Sequence, residues 1–178
     1  MRTRLRILAI LVGVVTLWPA AARAQAPVIE VAGGYSYLSA LASGATSATG
    51  YPRGWFVAAG RPLGWRWLVA AGEMSASART NLAVETQRVF SVLGGAHVVL
   101  WRRGRVDLRA SALAGMERFS EPGFSESGFA FQPGAGLDLR LWRALGTRVS
   151  TDYRVARLNG ATFKNLRVNA GAVVQLAR

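Results

Sequence analysis

Between Arg105 and Met116 the sequence reads RVDLRASALAGM, and the parity of residue types in this stretch constrains the fold more than any other feature. Val106, Leu108, Ala110, Ala112, Ala114 and Met116 share one parity. Asp107, Arg109 and Ser111, continuing to Glu117, dominate the other, which Leu113 and Gly115 interrupt. Alternate residues point to opposite faces only in an extended strand, whereas a helix would spread both sets around its circumference. The segment therefore reads as a strand with one apolar and one partly charged face. In a soluble sandwich the apolar face meets a core; in a membrane barrel it meets lipid, and the polar face fills the lumen.

The N-terminus bears on which solvent applies. Arg2, Arg4 and Arg6 precede an apolar run from Ile7 to Leu17, and Ala22-Arg23-Ala24 supplies a small-x-small site. These are the three parts of a secretory signal, which predicts cleavage after Ala24 and export. The run is 11 residues long, short of the roughly 20 that a spanning helix needs. Cysteine is absent from the sequence, so neither disulfides nor a lipidated cysteine are expected. Residues 25–178 are expected to form one domain, and no second run is long enough for a membrane helix.

The formal charge of +13 falls to +9 without the four arginines of the first 24 residues, and Lys164 is the only lysine. The basic residues are spread along the chain rather than clustered, which argues against a nucleic-acid partner. Lipid phosphates are the more natural anionic contact.

Eight strands are predicted. The first runs from Val28 to Leu38, with Glu30, Ala32, Gly34 and Ser36 on its polar side. The second and third span about Gly54 to Arg61 and about Trp67 to Ser75, with Glu73 on the polar face of the third. A fourth covers about Thr86 to Trp101, turning His97 and Ser91 inward, and leads into the opening strand. The last three pass through Phe131 to Leu141, Val149 to Val155 and Leu166 to Leu176. The segments Pro62 to Trp65, Arg102 to Gly104 and Arg143 to Gly146 read as short turns. Ser39 to Pro52, Ala76 to Glu85, Glu121 to Gly128 and Ala156 to Lys164 read as long loops. Alternating long and short connections, with strands approaching 9 to 11 residues, match an outer-membrane barrel.

Aromatic placement agrees. Trp65, Trp67, Trp101 and Trp142 lie beside short turns, whereas Tyr51, Trp55, Phe119, Phe124, Phe129, Tyr153 and Phe163 lie near or within long loops. Two such levels predict the interfacial girdles of a bilayer-spanning barrel, to which Trp55, Trp65, Trp67, Trp101, Trp142 and Tyr153 are assigned.

Gly33-Gly34-Tyr35-Ser36-Tyr37, Pro133-Gly134-Ala135-Gly136-Leu137-Asp138, Asp152-Tyr153-Arg154 and the closing Asn165 to Gly171, in that order, resemble the eight-stranded outer-membrane β-barrel family of OmpA and OmpX type domains. The resemblance spans nearly the whole chain after the signal. It implies an all-β, antiparallel, up-and-down transmembrane barrel in the outer membrane of a Gram-negative bacterium. The implied partners are outer-membrane lipids, lipopolysaccharide and, during insertion, the barrel-assembly machinery, with the protein a monomer. Such barrels usually finish on an aromatic residue; here the chain ends Leu176-Ala177-Arg178, and Leu176 stands in that place.

The lumenal set is expected to contain the acids Glu30, Glu73, Asp107, Glu117, Asp138 and Asp152 against Arg109, Arg140, Arg148, Arg154 and Arg167, with His97 near Asp107 or Arg109. An eight-stranded barrel is just wide enough for its side chains to fill, so these groups are expected to pair into a plug rather than line a pore. Asp138 is expected near Asp152 and Arg148, and Arg140 near Arg148. Arg61, Arg66, Arg102, Arg103, Arg105, Arg143 and Arg148 lie at or beside short turns, placed either for anionic headgroups or simply for solvent.

Enzymatic alternatives find little support in the sequence. Some barrels of this size modify lipids with a serine, a histidine and an acid, but Ser91 lies six residues from His97, roughly 20 Å along the strand. One histidine without cysteine provides no metal-ligand cluster, and no cofactor motif occurs. The sequence thus predicts a non-enzymatic outer-membrane barrel that contributes to envelope structure or surface contact. The alternatives are a lipid-modifying enzyme and a soluble lipocalin-like periplasmic carrier.

Overall fold

A computed structural model describes residues 29–41, 49–65, 67–80, 86–142 and 144–176. The signal segment and the residues Arg66 and Arg143 of the predicted short turns lie outside them.

The described chain is a sequence of strands: β1 (Ile29–Ala40), β2 (Thr49–Tyr51), β3 (Arg53–Pro62), β4 (Leu68–Thr80), β5 (Thr86–Arg103), β6 (Val106–Glu121), β7 (Phe124–Arg140), β8 (Leu145–Leu158) and β9 (Ala161–Leu176). Each pairs antiparallel with its neighbour, and β1 closes on β9 through twelve register pairs from Ile29↔Leu176 to Ala40↔Asn165. The result is an eight-stranded barrel, because β2 is the upward continuation of β3. Leu38↔Tyr51 in one ladder and Tyr35↔Trp55 in the other differ in register by one residue, and Pro52 falls between the two ladders. Proline donates no ladder hydrogen bond, so the strand is interrupted there.

The period-2 reading of the faces matches the burial. Ser36, Ser91, Asp107, Glu117, Gln132, Asp152, Arg154 and Arg167 are buried inside, while Met74, Val92, Met116, Leu137, Val149 and Val168 are exposed outside.

Two of the four predicted long loops are not loops. Glu121 to Gly128 is mostly strand, because β6 and β7 run on to a two-residue turn at Pro122-Gly123, with Gly123 at φ 77°. Proline presets the first turn position and glycine accepts the positive φ of the second. Ala156 to Lys164 is likewise a tight hairpin about Asn159-Gly160, at φ 43° and 83°. Asn-Gly is the strongest sequence signature of such a two-residue turn. The strands are correspondingly long: β5 has 18 residues and β7 has 17, against the 9 to 11 or so that cross a bilayer. The surplus stands above the apolar zone at the end opposite the termini, here called the far end.

At the other end, β5 carries a bulge between Val99 and Trp101. The extra residue reverses the parity, so Leu100 and Trp101 are both exposed and Arg102 turns inward opposite Asp107.

Candidate functional site

The lumen is where this chain concentrates its charge, and its geometry follows from strand parity plus closure. Near the end that carries the termini, Glu30 of β1 reaches across the barrel. Arg109 Nη1 of β6 donates to its Oε1 at 2.7 Å, Arg109 Nη2 to its Oε2 at 3.0 Å, and Arg148 Nη2 of β8 to Oε1 at 3.0 Å. Arg148 also holds Asp138 bidentately, Nε to Oδ1 at 2.8 Å and Nη2 to Oδ2 at 3.0 Å, and Arg109 pairs with the same carboxylate. His97 lies beside this group, its Nε2 2.7 Å from Arg109 Nη1 and 3.2 Å from Glu30 Oε1.

A second group lies deeper toward the far end. Arg154 of β8 donates from Nε to Gln132 at 2.7 Å, from Nη1 to Glu117 at 2.9 Å and from Nη2 to the Ser75 hydroxyl at 3.2 Å. Arg167 of β9 joins Asp152, 3.0 Å away, to Glu73. Asn169 Nδ2 donates to Asp152 at 2.7 Å. These arginines are almost wholly enclosed, with Arg167 at 0 % and Arg154 at 2 % exposure. Unpaired charges there would be costly, so each guanidinium is held by two or more acceptors.

A third, more open group sits at the rim near the termini, where Arg102 Nε lies 2.9 Å from Asp107 and Arg140 Nη2 lies 3.6 Å from it. The sequence predicts Arg102 in a turn; the bulge in β5 brings it inside. With it, the ion-paired set becomes Glu30, Glu73, Asp107, Glu117, Asp138 and Asp152 against Arg102, Arg109, Arg140, Arg148, Arg154 and Arg167, six carboxylates against six guanidinium groups.

Several expected neighbours are different. Asp138 faces Arg148 across β7 and β8, as expected, but not Asp152, which faces Gly134 and takes Arg167 from the next strand. Of the two neighbours expected for His97, it meets Arg109, and Asp107 takes Arg102. Arg140 falls diagonally from Arg148 and pairs with Asp107. Arg148, expected both in the lumenal set and beside a short turn, is enclosed in the lumen. Ser91 is fully buried and shares a hydrogen bond with Ser75 at 2.8 Å. Of the arginines near the short turns, Arg61, Arg103 and Arg105 are exposed.

The lumen is also less polar than its charged residues suggest. Leu93, Leu113, Ala130, Ala156 and Leu158 cluster inside, and Leu38, Tyr51 and Val89 form a second cluster near the far end, with Phe119 packed against both. Ala32, Phe56 and Val173 make a third. Tyr51 and Phe119, read as far-end girdle residues, therefore point inward. The sequence carried a sign of this: Leu113 broke the polar parity of its strand. Trp55, Trp65, Trp67, Trp101, Trp142 and Tyr153 are all exposed on the outside, and Trp65 and Trp67 stack with centroids 4.9 Å apart.

Between the two main ion groups lies a cavity of about 60 Å³, bounded by Glu30, Glu73, His97, Arg109, Asp138 and Asp152. Small-molecule sites enclose roughly 300–1,000 Å³, so this space suits a few waters. Among the described residues no cluster of histidines and carboxylates has the geometry to hold a metal.

No protein-family model and no curated protein matches the sequence. Solved structures match its fold. Neisserial surface protein A superposes with a TM-score of 0.69 at 12 % identity, over 83 % of this chain and 97 % of that one. Ail, the attachment invasion locus protein of Yersinia pestis, superposes at 0.54 with 19 % identity over 83 % and 99 % of the two chains. Its backbone structure in a phospholipid bilayer nanodisc superposes at 0.52 with 16 % identity over 84 % and 99 %. At these identities the likeness is one of fold: the chain has the eight-stranded antiparallel barrel architecture of these outer-membrane proteins.

Proposed function

We propose that this chain is an integral outer-membrane protein, exported by a signal cleaved after Ala24, that spans the bilayer as a plugged barrel without enzymatic activity and serves envelope structure or surface contact. The observation that carries the reading is the inversion of the molecule. Its charges are paired inside, while its outside presents Val57, Met74, Val92, Met116, Phe131, Leu137, Val149 and Val168 to the surroundings. A continuous apolar exterior of that extent is stable against lipid and a liability in water. It also disfavours a soluble carrier, which would place its apolar residues around a ligand-sized cavity.

Surface contact is favoured within this reading by the strand surplus at the far end, which lifts the β6–β7 and β8–β9 hairpins clear of the apolar zone. Ail is named the attachment invasion locus protein of Yersinia pestis, and the hairpins displayed here would suit a role in attachment. The plug argues against a pore: Arg154, Gln132, Glu117 and the apolar clusters occupy the section through which ions would have to pass.

The direct test is electrophoretic mobility of isolated outer membranes with and without boiling. A folded band that migrates differently from the boiled chain, confined to the outer-membrane fraction, is expected. A water-soluble protein that fractionates with the periplasm would refute the assignment.

A further inference from the structure

The exterior has a charge asymmetry that the lumen does not explain. All carboxylates on the described strands have lumenal parity: Glu30, Glu73, Asp107, Glu117, Glu121, Glu126, Asp138 and Asp152. The outward parity of the described strands contains neither Asp nor Glu. Its charges at the far end are Arg53, Arg88, Arg118, Arg157 and Lys164, each exposed. Among the described residues none of the five has a carboxylate within ion-pair distance, and Arg118 Nε donates to the Ser125 hydroxyl at 2.8 Å.

Three of them sit together on β3 to β6 in a graded array. One cross-strand row reads Arg53↔Ala78↔Arg88↔Ser120. Directly beneath it, two residues nearer the termini, lies Trp55↔Ala76↔Phe90↔Arg118, and beneath that Val57↔Met74↔Val92↔Met116. Charge thus gives way to aromatic and then aliphatic surface within two rows. Ala76 and Ala78 leave a trough in the middle, flanked by Trp55 and Arg53 on one side and by Phe90 and Arg88 on the other. Neighbouring strands lie about 4.8 Å apart, so Arg53 and Arg88 stand about 10 Å apart, close enough for two long guanidinium side chains to converge on one phosphate.

We propose that this array is a binding site for a phosphorylated outer-leaflet lipid, with Arg53, Arg88 and Arg118 taking the headgroup phosphate and the alanine trough between Trp55 and Phe90 receiving the start of an acyl chain. The proposal rests on the membrane reading above. Its amphipathic gradation selects a lipid over a free anion: a soluble phosphate would use the top row alone, whereas a lipid uses all three in the order in which its own polarity changes. Guanidinium groups bind phosphate in fixed, bidentate geometry, and the like charges of the array, with no carboxylate opposite them among the described residues, are complementary to an anion.

The test uses the full chain refolded in detergent and titrated with diphosphoryl lipid A, adducts being counted by native mass spectrometry. Fully dephosphorylated lipid A and inorganic phosphate serve as the other probes. Each basic residue near an anionic surface is worth about fivefold in affinity. The variant with Arg53→Gln, Arg88→Gln and Arg118→Gln should therefore bind diphosphoryl lipid A about a hundredfold more weakly. Replacing Arg61 and Arg103, outward-facing at the opposite end, should leave binding unchanged. Lysine at the three positions should restore most of it, and dephosphorylated lipid should bind wild type no better than it binds the glutamine variant. If the triple variant shows no boiling-dependent mobility shift, Arg53→Gln and Arg88→Gln are read singly, each expected to lose about fivefold. Equal binding by wild type and the glutamine variants overturns the proposal, as does full competition by inorganic phosphate at equal concentration. Failure of wild type itself to shift on boiling and to insert into vesicles would instead overturn the membrane reading.

Discussion

Asp138 and Arg148 face each other across β7 and β8 as a register pair, joined by two hydrogen bonds of 2.8 and 3.0 Å in a fork-to-carboxylate arrangement. Arg109 shares the same carboxylate and Glu30 shares both arginines, so the four residues form a neutral square rather than two separate pairs.

Removing one corner leaves a buried charge without its partner. Asp138→Asn should destabilise the folded barrel by about 3–5 kcal/mol, read by urea titration in phospholipid vesicles. Pairing it with Arg148→Met restores neutrality around Glu30 and Arg109, so the double variant should cost clearly less than the sum of the singles. Strict additivity would show that the square is not a coupled unit.

Val149 sits in the exposed belt, opposite Leu137 on one side and Ala170 on the other. Arginine there should cost about 2–4 kcal/mol if the belt contacts the hydrocarbon midplane. The same change at an ordinary water-exposed strand position stays within about 0.5 kcal/mol. A result in the lower range would remove the lipid from the account.

The Asn159-Gly160 turn holds Gly160 at φ 83°. Gly160→Ala should therefore destabilise by about 1–2 kcal/mol, because a Cβ there crowds the following carbonyl. Gly94→Ala is the control: a Cβ at Gly94 meets nothing within 4 Å and the residue lies within β5, so alanine should be neutral or stabilise by up to about 1 kcal/mol. Equal losses at both sites would mean that the hairpin is not the tight turn described.

The buried plug predicts silence in planar bilayers. Wild type should pass no discrete ion current, whereas replacing Glu117 and Arg154 together by alanine removes one whole ion pair from the deeper group and should produce measurable steps. A wild-type conductance equal to that of the variant would contradict the plug.

Much of this is legible in the amino-acid sequence, because of a simple regularity. A strand sends alternate residues to opposite faces regardless of what surrounds it, so the inward placement of Glu30, Glu73, His97, Asp107, Glu117, Arg154 and Arg167 followed from counting. The two misread hairpins were different. Pro122-Gly123 and Asn159-Gly160 are present in the sequence, but the far ends of β6 to β9 exchange their faces: Phe119, Ala156 and Leu158 point inward while Arg118, Arg157 and Lys164 point outward. A polar-in, apolar-out pattern does not continue there, and turn chemistry is what marks the hairpins.

The sequence by itself determined the strand class, the two faces of each strand and the excess of apolar surface on one of them, all of which are local properties of the chain. The tertiary structure decided which charge meets which. Glu30 finds Arg109 and Arg148 at separations of 79 and 118 residues, Arg102 enters the lumen through one extra residue in β5, and Arg53, Arg88 and Arg118 align on the exterior only through the registers of β3 to β6. Register and closure are collective properties, since shifting a single ladder by one residue would turn every side chain of that strand to the other face. Partners across a lumen are therefore set by all the ladders at once.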